Sequence, residues 1–204
     1  MKLKVAINGY GRIGRCILRA LYESPHYRDQ LQIVAINELA DLDVVTHLTR
    51  YDTTHGRFPG TVERDASHLV VNGEPISLLS EAEPESLPWE ALGVDLVLEC
   101  SGVFKSRQDA QRHLRAGARK VLFSHPAEPD VDATIVYGVN HLALKPEDAI
   151  VSNASCTTNA VIPVLSEVNE KLGYLPVDAL TQISQALRVP GSKLLSTASF
   201  YRLL

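Results

Sequence analysis

With 204 residues, 45% hydrophobic and 22% charged, the chain has room for one full domain, or for one domain and part of a second. A formal net charge of −4 with no basic run argues against nucleic acid as a partner, and no apolar stretch approaches the ~20 residues that span a bilayer. Cys16, Cys100 and Cys156 are odd in number and far apart, which suits a reducing cytoplasm rather than a disulfide framework, and no Cys/His spacing resembles a zinc site.

The N-terminus, Met1 to Asn8, turns to glycine too soon for a signal peptide. Leu3, Val5 and Ile7 predict a strand that runs into Gly9. Ile13, Ile17 and Leu21 then recur every four residues with Leu18 beside them, predicting a helix over 12–22 with one apolar stripe. Gln32–Asn37 reads as a second short strand. Leu69 to Leu78 reads as a hairpin, because Asn72-Gly73 favours a turn with positive φ. Asp95–Cys100 is a further buried strand, and Ser106 can cap a helix through Ala116 with Asp109 assisting at its N-terminus. Lys120–Ser124, Thr134–Tyr137 and Ala149–Ser152 complete the expected strands. Strand and helix in this alternation imply an α/β fold, a Rossmann-type doubly wound, mostly parallel sheet with helices on both faces.

From Asn159 onward Val161, Leu165, Val168 and Leu172 keep helical spacing, and Gly173 supplies a stop. Pro163, inside this pattern, is expected to kink the helix or mark its first turns. Leu175–Leu180 reads as the start of a strand. The last twenty residues show no coherent period and end in Phe200-Tyr201-Arg202-Leu203-Leu204 as though cut off.

Two short motifs carry chemistry. Gly9-Tyr10-Gly11-Arg12-Ile13-Gly14 fits G-x-G-x-x-G between a strand and a helix. The first glycine permits the tight turn, the second lets backbone approach a pyrophosphate, and the third lets helix pack close to sheet. Asn37-Glu38 closes the second strand, where an acidic residue can hold the adenine ribose and favour NAD over NADP. The competing reading of the bare hexapeptide is a tight turn with no ligand. The second motif is Ser155-Cys156-Thr157-Thr158-Asn159. Cys156 at a helix N-terminus has a thiolate-stabilising dipole, and the same N–H groups can hold an oxyanion. On spacing alone a buried structural cysteine competes with this, and Cys16 and Cys100 read as structural. All seven histidines precede Cys156, and His125 is the one expected near the carboxyl ends of the strands.

Together, Asn8 to Arg15, Tyr51 to Phe58 and Ala154 to Asn159 resemble the phosphorylated-sugar aldehyde dehydrogenases, the glyceraldehyde-3-phosphate dehydrogenase family. Ile36-Asn37-Glu38-Leu39-Ala40-Asp41, Ser86-Leu87-Pro88-Trp89, Val121 to Pro126 and Asp132 to Asn140 look like its D-erythrose-4-phosphate dehydrogenase branch. The resemblance runs from residue 3 to about 174. It implies a NAD-binding domain over 1–154 and, over 155–204, the start of an α+β catalytic domain. It implies that Asn8, Gly9, Gly11, Arg12, Ile13, Gly14, Asn37, Glu38, Ser101, Gly102 and Ser124 bind the cofactor. Arg12 and Ile13 would meet the pyrophosphate, Glu38 the ribose, and Ser101, Gly102 and Ser124 the path to the nicotinamide. Cys156 would be the nucleophile, with Ser155 and Thr157 binding a sugar phosphate and no metal required. Thiolate addition to the aldehyde, oxidation to a thioester and hydrolysis to 4-phosphoerythronate would follow. A cytoplasmic homotetramer feeding pyridoxal phosphate synthesis is the implied setting.

The resemblance ends after about residue 174. The family's activating histidine lies in a Thr-Thr-Ile-His segment; here Ile183, or Ser184 with a one-residue slip, occupies that place. Gln185-Ala186-Leu187-Arg188-Val189-Pro190 resembles a strand from much later in the catalytic domain. A deletion between Tyr174 and Gln185, with a shifted frame or early stop, accounts for the pattern and predicts a truncated catalytic domain with impaired activity.

Overall fold

The computed structural model describes residues 2–200; Met1 and residues 201–204, part of the ending read as cut off, lie outside them. The chain opens with β1 (Leu3–Asn8), α1 (Arg12–Glu23), a short α2 (Pro25–Gln30) and β2 (Leu31–Asn37). After α3 (Leu42–Arg50) comes a small two-stranded ribbon of β3 (Tyr51–Asp52) and β4 (Gly56–Arg57). Three further strands follow, β5 (Val62–Arg64), β6 (His68–Val71) and β7 (Glu74–Leu79). A single-turn α4 (Trp89–Leu92), β8 (Leu96–Glu99), α5 (Arg107–Arg115), β9 (Lys120–Phe123), β10 (Ala133–Thr134) and β11 (Ile150–Ser152) complete the sheet.

Nine strands lie in the order β10-β11-β9-β8-β1-β2-β7-β6-β5. All pairs from β10 to β7 are parallel, and β7-β6-β5 is an antiparallel edge. The chain leaves β1 on one side for β2 and returns on the other for β8. That reversal opens a crevice beyond the carboxyl end of β1, the position where doubly wound sheets take ligands. Both faces of β1 are covered: Val5 and Ile7 pack with Leu18, Leu21 and Ile36, and Ala6 faces Trp89, Val97 and Phe123 on the other side. This explains why Val5, Ala6 and Ile7 are apolar in succession instead of alternating with polar residues.

Local signals act where expected. Asn72 and Gly73 have φ of 51° and 80°, and the β6–β7 hairpin turns on them. Ser106 and Asp109 form a reciprocal capping box at α5.

Four expectations are corrected. Thr134–Tyr137 pairs as a strand only through Thr134. Beyond it the Asn140 side chain takes over the backbone, accepting from Val136 N at 2.7 Å and donating to Thr134 O at 3.0 Å. Leu175–Leu180 does not begin a strand but leads into α7 (Val177–Leu187). Pro176 precedes that helix with φ −63°, Asp178 sits in its first turn, and Leu180, Ile183 and Leu187 carry a helical period that a six-residue window hides. The last twenty residues contain an ordered helix, α8 (Gly191–Phe200). Its buried positions are Leu194, Thr197 and Ala198, so the inward stripe is too small and polar to show as a hydrophobic period. The expected α+β continuation takes the form, among the described residues, of three helices: α6 (Cys156–Leu172), α7 and α8. They share a third core, with Val136, Ala154, Ile162, Leu165, Ile183 and Leu194 at its centre. Pro163 lies within α6, which continues past it and ends on Gly173 at φ 77°.

Candidate functional site

The end of β1 builds the first half of the site. Gly9 has φ 87°, and a Cβ there would sit 2.5 Å from both N and Cα of Ser101. The close approach of the glycine loop to the β8 end therefore requires glycine. A Cβ on Gly14 would lie 2.6 Å from the Gly9 carbonyl, so the third glycine serves helix–loop packing. Gly11 differs: its added Cβ meets nothing within 4 Å and would project into open space. Gly11 is the N-cap of α1 and contributes no side-chain cap. Among the described residues the N–H groups of Arg12, Ile13 and Gly14 have no protein acceptor, so the positive end of α1 is free to bind an anion.

A cleft of about 350 Å³ opens here, lined by Asn8, Gly9, Gly11, Asn37, Glu38 and Ser101 together with Leu39, Glu81, Ala82, Cys100, Val103 and Phe104. Glu38 holds the loop. Its Oε2 accepts from Tyr10 N at 2.8 Å, and its Oε1 accepts from Leu39 N at 2.8 Å and Ala40 N at 3.2 Å. Oε2, which takes a single N–H, keeps acceptor capacity for a hydroxyl group.

Under the cleft floor lies a buried polar network that sequence reasoning missed. Glu99 and His113 are fully buried and Asn8 nearly so. Glu99 Oε1 accepts from Ser101 N at 2.8 Å and Ser101 Oγ at 2.5 Å. Glu99 Oε2 accepts from Asn8 Nδ2 at 2.6 Å and lies 3.1 Å from His113 Nε2. Trp89 Nε1, which can only donate, lies 3.0 Å from His113 Nδ1. Nδ1 must therefore accept, leaving the imidazole proton on Nε2 and directed at Glu99. Asn37 donates to Asn8 Oδ1 at 2.7 Å, so the ends of β1, β2 and β8 are tied through one carboxylate. The available signal was the acid itself, closing the otherwise apolar run Leu96-Val97-Leu98.

The second half is Cys156, the exposed first residue of α6. Ala154 at φ 54° turns the chain from β11, and Ser155 caps the helix, its Oγ accepting from Thr158 N at 2.9 Å. Asn159 Nδ2 reaches back to Asn153 O at 2.7 Å. Cys156 N and Thr157 N have no acceptor among the described residues, leaving two donors beside the thiol. Burial pushes the Cys100 thiol up to about 11, with Ser124 hydrogen bonding opposing. Cys100 is therefore a poor nucleophile.

No histidine is hydrogen-bonded to Cys156 among the described residues. His125 points its Nε2 at Phe104 O, 2.9 Å away. Ile183 is buried in α7, and Ser184 Oγ donates to Val189 O at 2.7 Å, so neither position presents a base. Of the expected cofactor residues, Asn8, Gly9, Gly11, Asn37, Glu38 and Ser101 line the first cleft. Arg12, Ile13, Gly14, Gly102 and Ser124 do not line it. Ser155 lines a second cavity, of about 370 Å³ between the Pro126–Pro129 loop, the start of α6 and α8, whereas Thr157 does not.

The family described as glyceraldehyde 3-phosphate dehydrogenase, NAD binding domain, matches residues 3–107. Among curated relatives, the chromosomal glyceraldehyde-3-phosphate dehydrogenase of Cupriavidus necator and its plasmid counterpart are each 56% identical over 175 residues, 86% of this chain. The chain spans about half the length of these relatives, 52% of each. A second family, thioredoxin-like 2Fe-2S ferredoxin, matches residues 147–204. Its cluster does not fit: that segment holds a single cysteine, Cys156, where such clusters take four thiolates. Nor is any group of three or more metal-ligating side chains found among the described residues. NAD does fit the first cleft, where Gly11 leaves open space, α1 offers unpaired N–H groups and Glu38 supplies an acceptor. Among the described residues no helix is long and apolar enough to cross a membrane.

Proposed function

From the premise that this chain belongs to the glyceraldehyde-3-phosphate dehydrogenase family and carries its NAD-binding domain, we propose NAD-dependent oxidation of D-erythrose 4-phosphate to 4-phosphoerythronate, with low turnover in this chain. The observation that carries the reading is Cys156, exposed as the first residue of α6, which follows sheet strand β11, beside two N–H donors unpaired among the described residues. Asn8, Gly9, Gly11, Arg12, Ile13, Gly14, Asn37 and Glu38 would hold the dinucleotide, with Ser101, Gly102 and Ser124 towards its reactive end. When bound, NAD supplies the hydride acceptor for the oxidation.

Cys156 Sγ adds to the aldehyde carbon, and the oxyanion formed falls to the N–H groups of Cys156 and Thr157. Ser155 and Thr157 orient the sugar phosphate. Once the adduct is oxidised to a thioester, water attacks its carbonyl, and the carboxylic acid leaves as the thiol re-forms. Without an imidazole at Cys156, the loss of general-base help predicts a rate lower by about 10²–10⁴-fold. The branch assignment is supported by Glu38 and by the His125-Pro126 pair. A glyceraldehyde 3-phosphate substrate is the second reading, favoured by the names of the Cupriavidus relatives. A NAD-binding module without turnover is the third, favoured by the missing imidazole. A cytoplasmic homotetramer whose product feeds pyridoxal phosphate synthesis belongs to the proposal.

One experiment orders these readings: titration with NAD, then NADH formation with each sugar phosphate, with and without inorganic phosphate. Turnover of erythrose 4-phosphate without a phosphate requirement is the expected result. Phosphate-dependent turnover of glyceraldehyde 3-phosphate would replace the substrate, and NAD binding with no turnover would leave only the module.

A further inference from the structure

A cluster of nucleophilic and titratable side chains lies where α1 packs on the β3–β4 ribbon, and it shares no lining residue with the NAD cleft or the cavity at Ser155. Cys16 Sγ on α1 is 3.8 Å from Nε2 of His55, in the turn between β3 and β4, which is within hydrogen-bond reach for sulfur. Cys16 is partly exposed, unlike the buried structural cysteine that its place in the first helix suggests.

The imidazole is held from two sides. Arg19, buried on α1, donates to His55 O at 2.9 Å, Gly56 O at 3.1 Å and Arg57 O at 2.7 Å, clamping the ribbon to the helix. Asp52 Oδ1 accepts from Thr54 N and His55 N, each at 2.8 Å, and fixes the turn. A slot of about 10 Å³ lies against the pair, roughly the room that one water-sized molecule needs. Its charged and titratable groups are Arg15 and Arg19 from α1 and Asp52 and His55 from the ribbon, while α3 contributes only Leu48 and Thr49. Arg15 Nη1 donates to Tyr10 O at 3.3 Å, but Arg15 Nε is buried with no acceptor among the described residues. A buried donor without an acceptor is costly, so the slot favours a small molecule that brings an acceptor oxygen.

We infer that Cys16 is a second reactive thiol, oxidised by hydrogen peroxide to a sulfenic acid with His55 as its proton carrier and Arg15 as donor to the peroxide. With the imidazole proton on Nδ1, Nε2 accepts the thiol proton. Sγ then attacks one peroxide oxygen, and the S–O bond forms as the O–O bond breaks. Sulfur gives up two electrons, which leave on the other oxygen as hydroxide. That hydroxide takes the proton back from Nε2 and departs as water. The narrow slot excludes bulkier oxidants such as organic disulfides.

The test uses the full chain without NAD or sugar phosphate. Hydrogen peroxide is added near neutral pH, sulfenic acid is trapped with dimedone, and the adduct at each cysteine is quantified by peptide mass spectrometry. The expected result is an adduct at Cys16 that forms well before any at Cys100. An unassisted thiol is only a few per cent ionised at about pH 7, so His55→Gln should slow the Cys16 reaction about tenfold there. At about pH 9.5 such a thiol is mostly ionised, and the parent and His55→Gln rates should converge. His55 is exposed, so the substitution should leave the fold intact, and urea unfolding checks this. Equal rates at Cys16 and Cys100 in the parent overturn the inference. So does a Cys16 rate unchanged in His55→Gln at neutral pH, or a deficit that persists in full at about pH 9.5, as a packing role would give. Cys156 is resolved as a separate peptide and NADH formation is not measured, so this inference and the proposed function fail separately.

Discussion

Replacing Glu99 with Gln removes one charge and one acceptor from a site that offers no room for a second donor. In one amide orientation the new NH₂ faces Ser101, whose hydroxyl can rotate to accept but whose backbone N–H, now 2.8 Å from Oε1, cannot. In the other it faces both Asn8 Nδ2 and His113 Nε2. Turning the Asn8 amide would break its bond from Asn37, and moving the histidine proton to Nδ1 would oppose the Trp89 N–H. The first orientation is therefore preferred, with one buried donor orphaned at a cost of about 1–3 kcal/mol. Weaker bonds to a neutral acceptor and relief from burying a charge act in opposite directions and are of similar size. The expected net loss is about 2 kcal/mol. Urea unfolding followed by the fluorescence of Trp89, the chain's single tryptophan, reads it directly. NAD affinity should fall as well, because Asn8 and Ser101 are held in the cleft by this carboxylate. Unfolding within about 0.5 kcal/mol of the parent would refute the four-donor arrangement, because such a change is typical of unconstrained surface sites.

The glycines of the loop should separate stability from binding. Gly9→Ala forces a side chain into the Ser101 backbone at positive φ and should destabilise by about 2–4 kcal/mol in thermal or urea unfolding. Gly11→Ala should cost less than about 1 kcal/mol yet weaken NAD binding in a titration, and equal effects at both positions would contradict the roles assigned. Native-state alkylation near neutral pH should label Cys156 well before Cys100, whose thiol burial holds at about 11, and unfolding in urea should abolish the difference. Equal native rates would count against the exposed thiol. The Arg107 guanidinium beside Asp132, helped by the Ala149 and Ile150 N–H groups, holds its carboxyl below the usual aspartate range. A depressed folded value contributes stability above the unfolded value, and that contribution is lost as pH falls through the folded one. Asp132→Asn should therefore lower stability at neutral pH and flatten its loss in acid, as measured by unfolding across a pH series.

Features set by neighbours in sequence are legible in the sequence itself. The apolar run of β1, the glycine loop, the Asn72-Gly73 turn, the Ser106 cap and the Gly173 stop depend on backbone preferences and side chains within a few residues. The positions of Glu38 and Cys156 at element ends followed from the same local reading. What escaped depends on contacts across long stretches of chain. Glu99 is a charge in an apolar strand until Asn8, 91 residues away, and His113 supply its donors. Leu175–Leu180 carries too short a pattern to decide between strand and helix until Ile183 is buried in the core shared by α6, α7 and α8. α8 shows no hydrophobic period because its inward face is Leu194, Thr197 and Ala198, and only packing reveals that stripe. The 204 residues alone therefore determined the parallel sheet, its dinucleotide loop and the cysteine at a helix start, because each rests on short-range backbone chemistry. Tertiary structure decided which donors neutralise Glu99, that no imidazole bonds Cys156 among the described residues, and that His55 comes to lie beside the Cys16 thiol. Those outcomes depend on which distant surfaces the folded chain brings into contact.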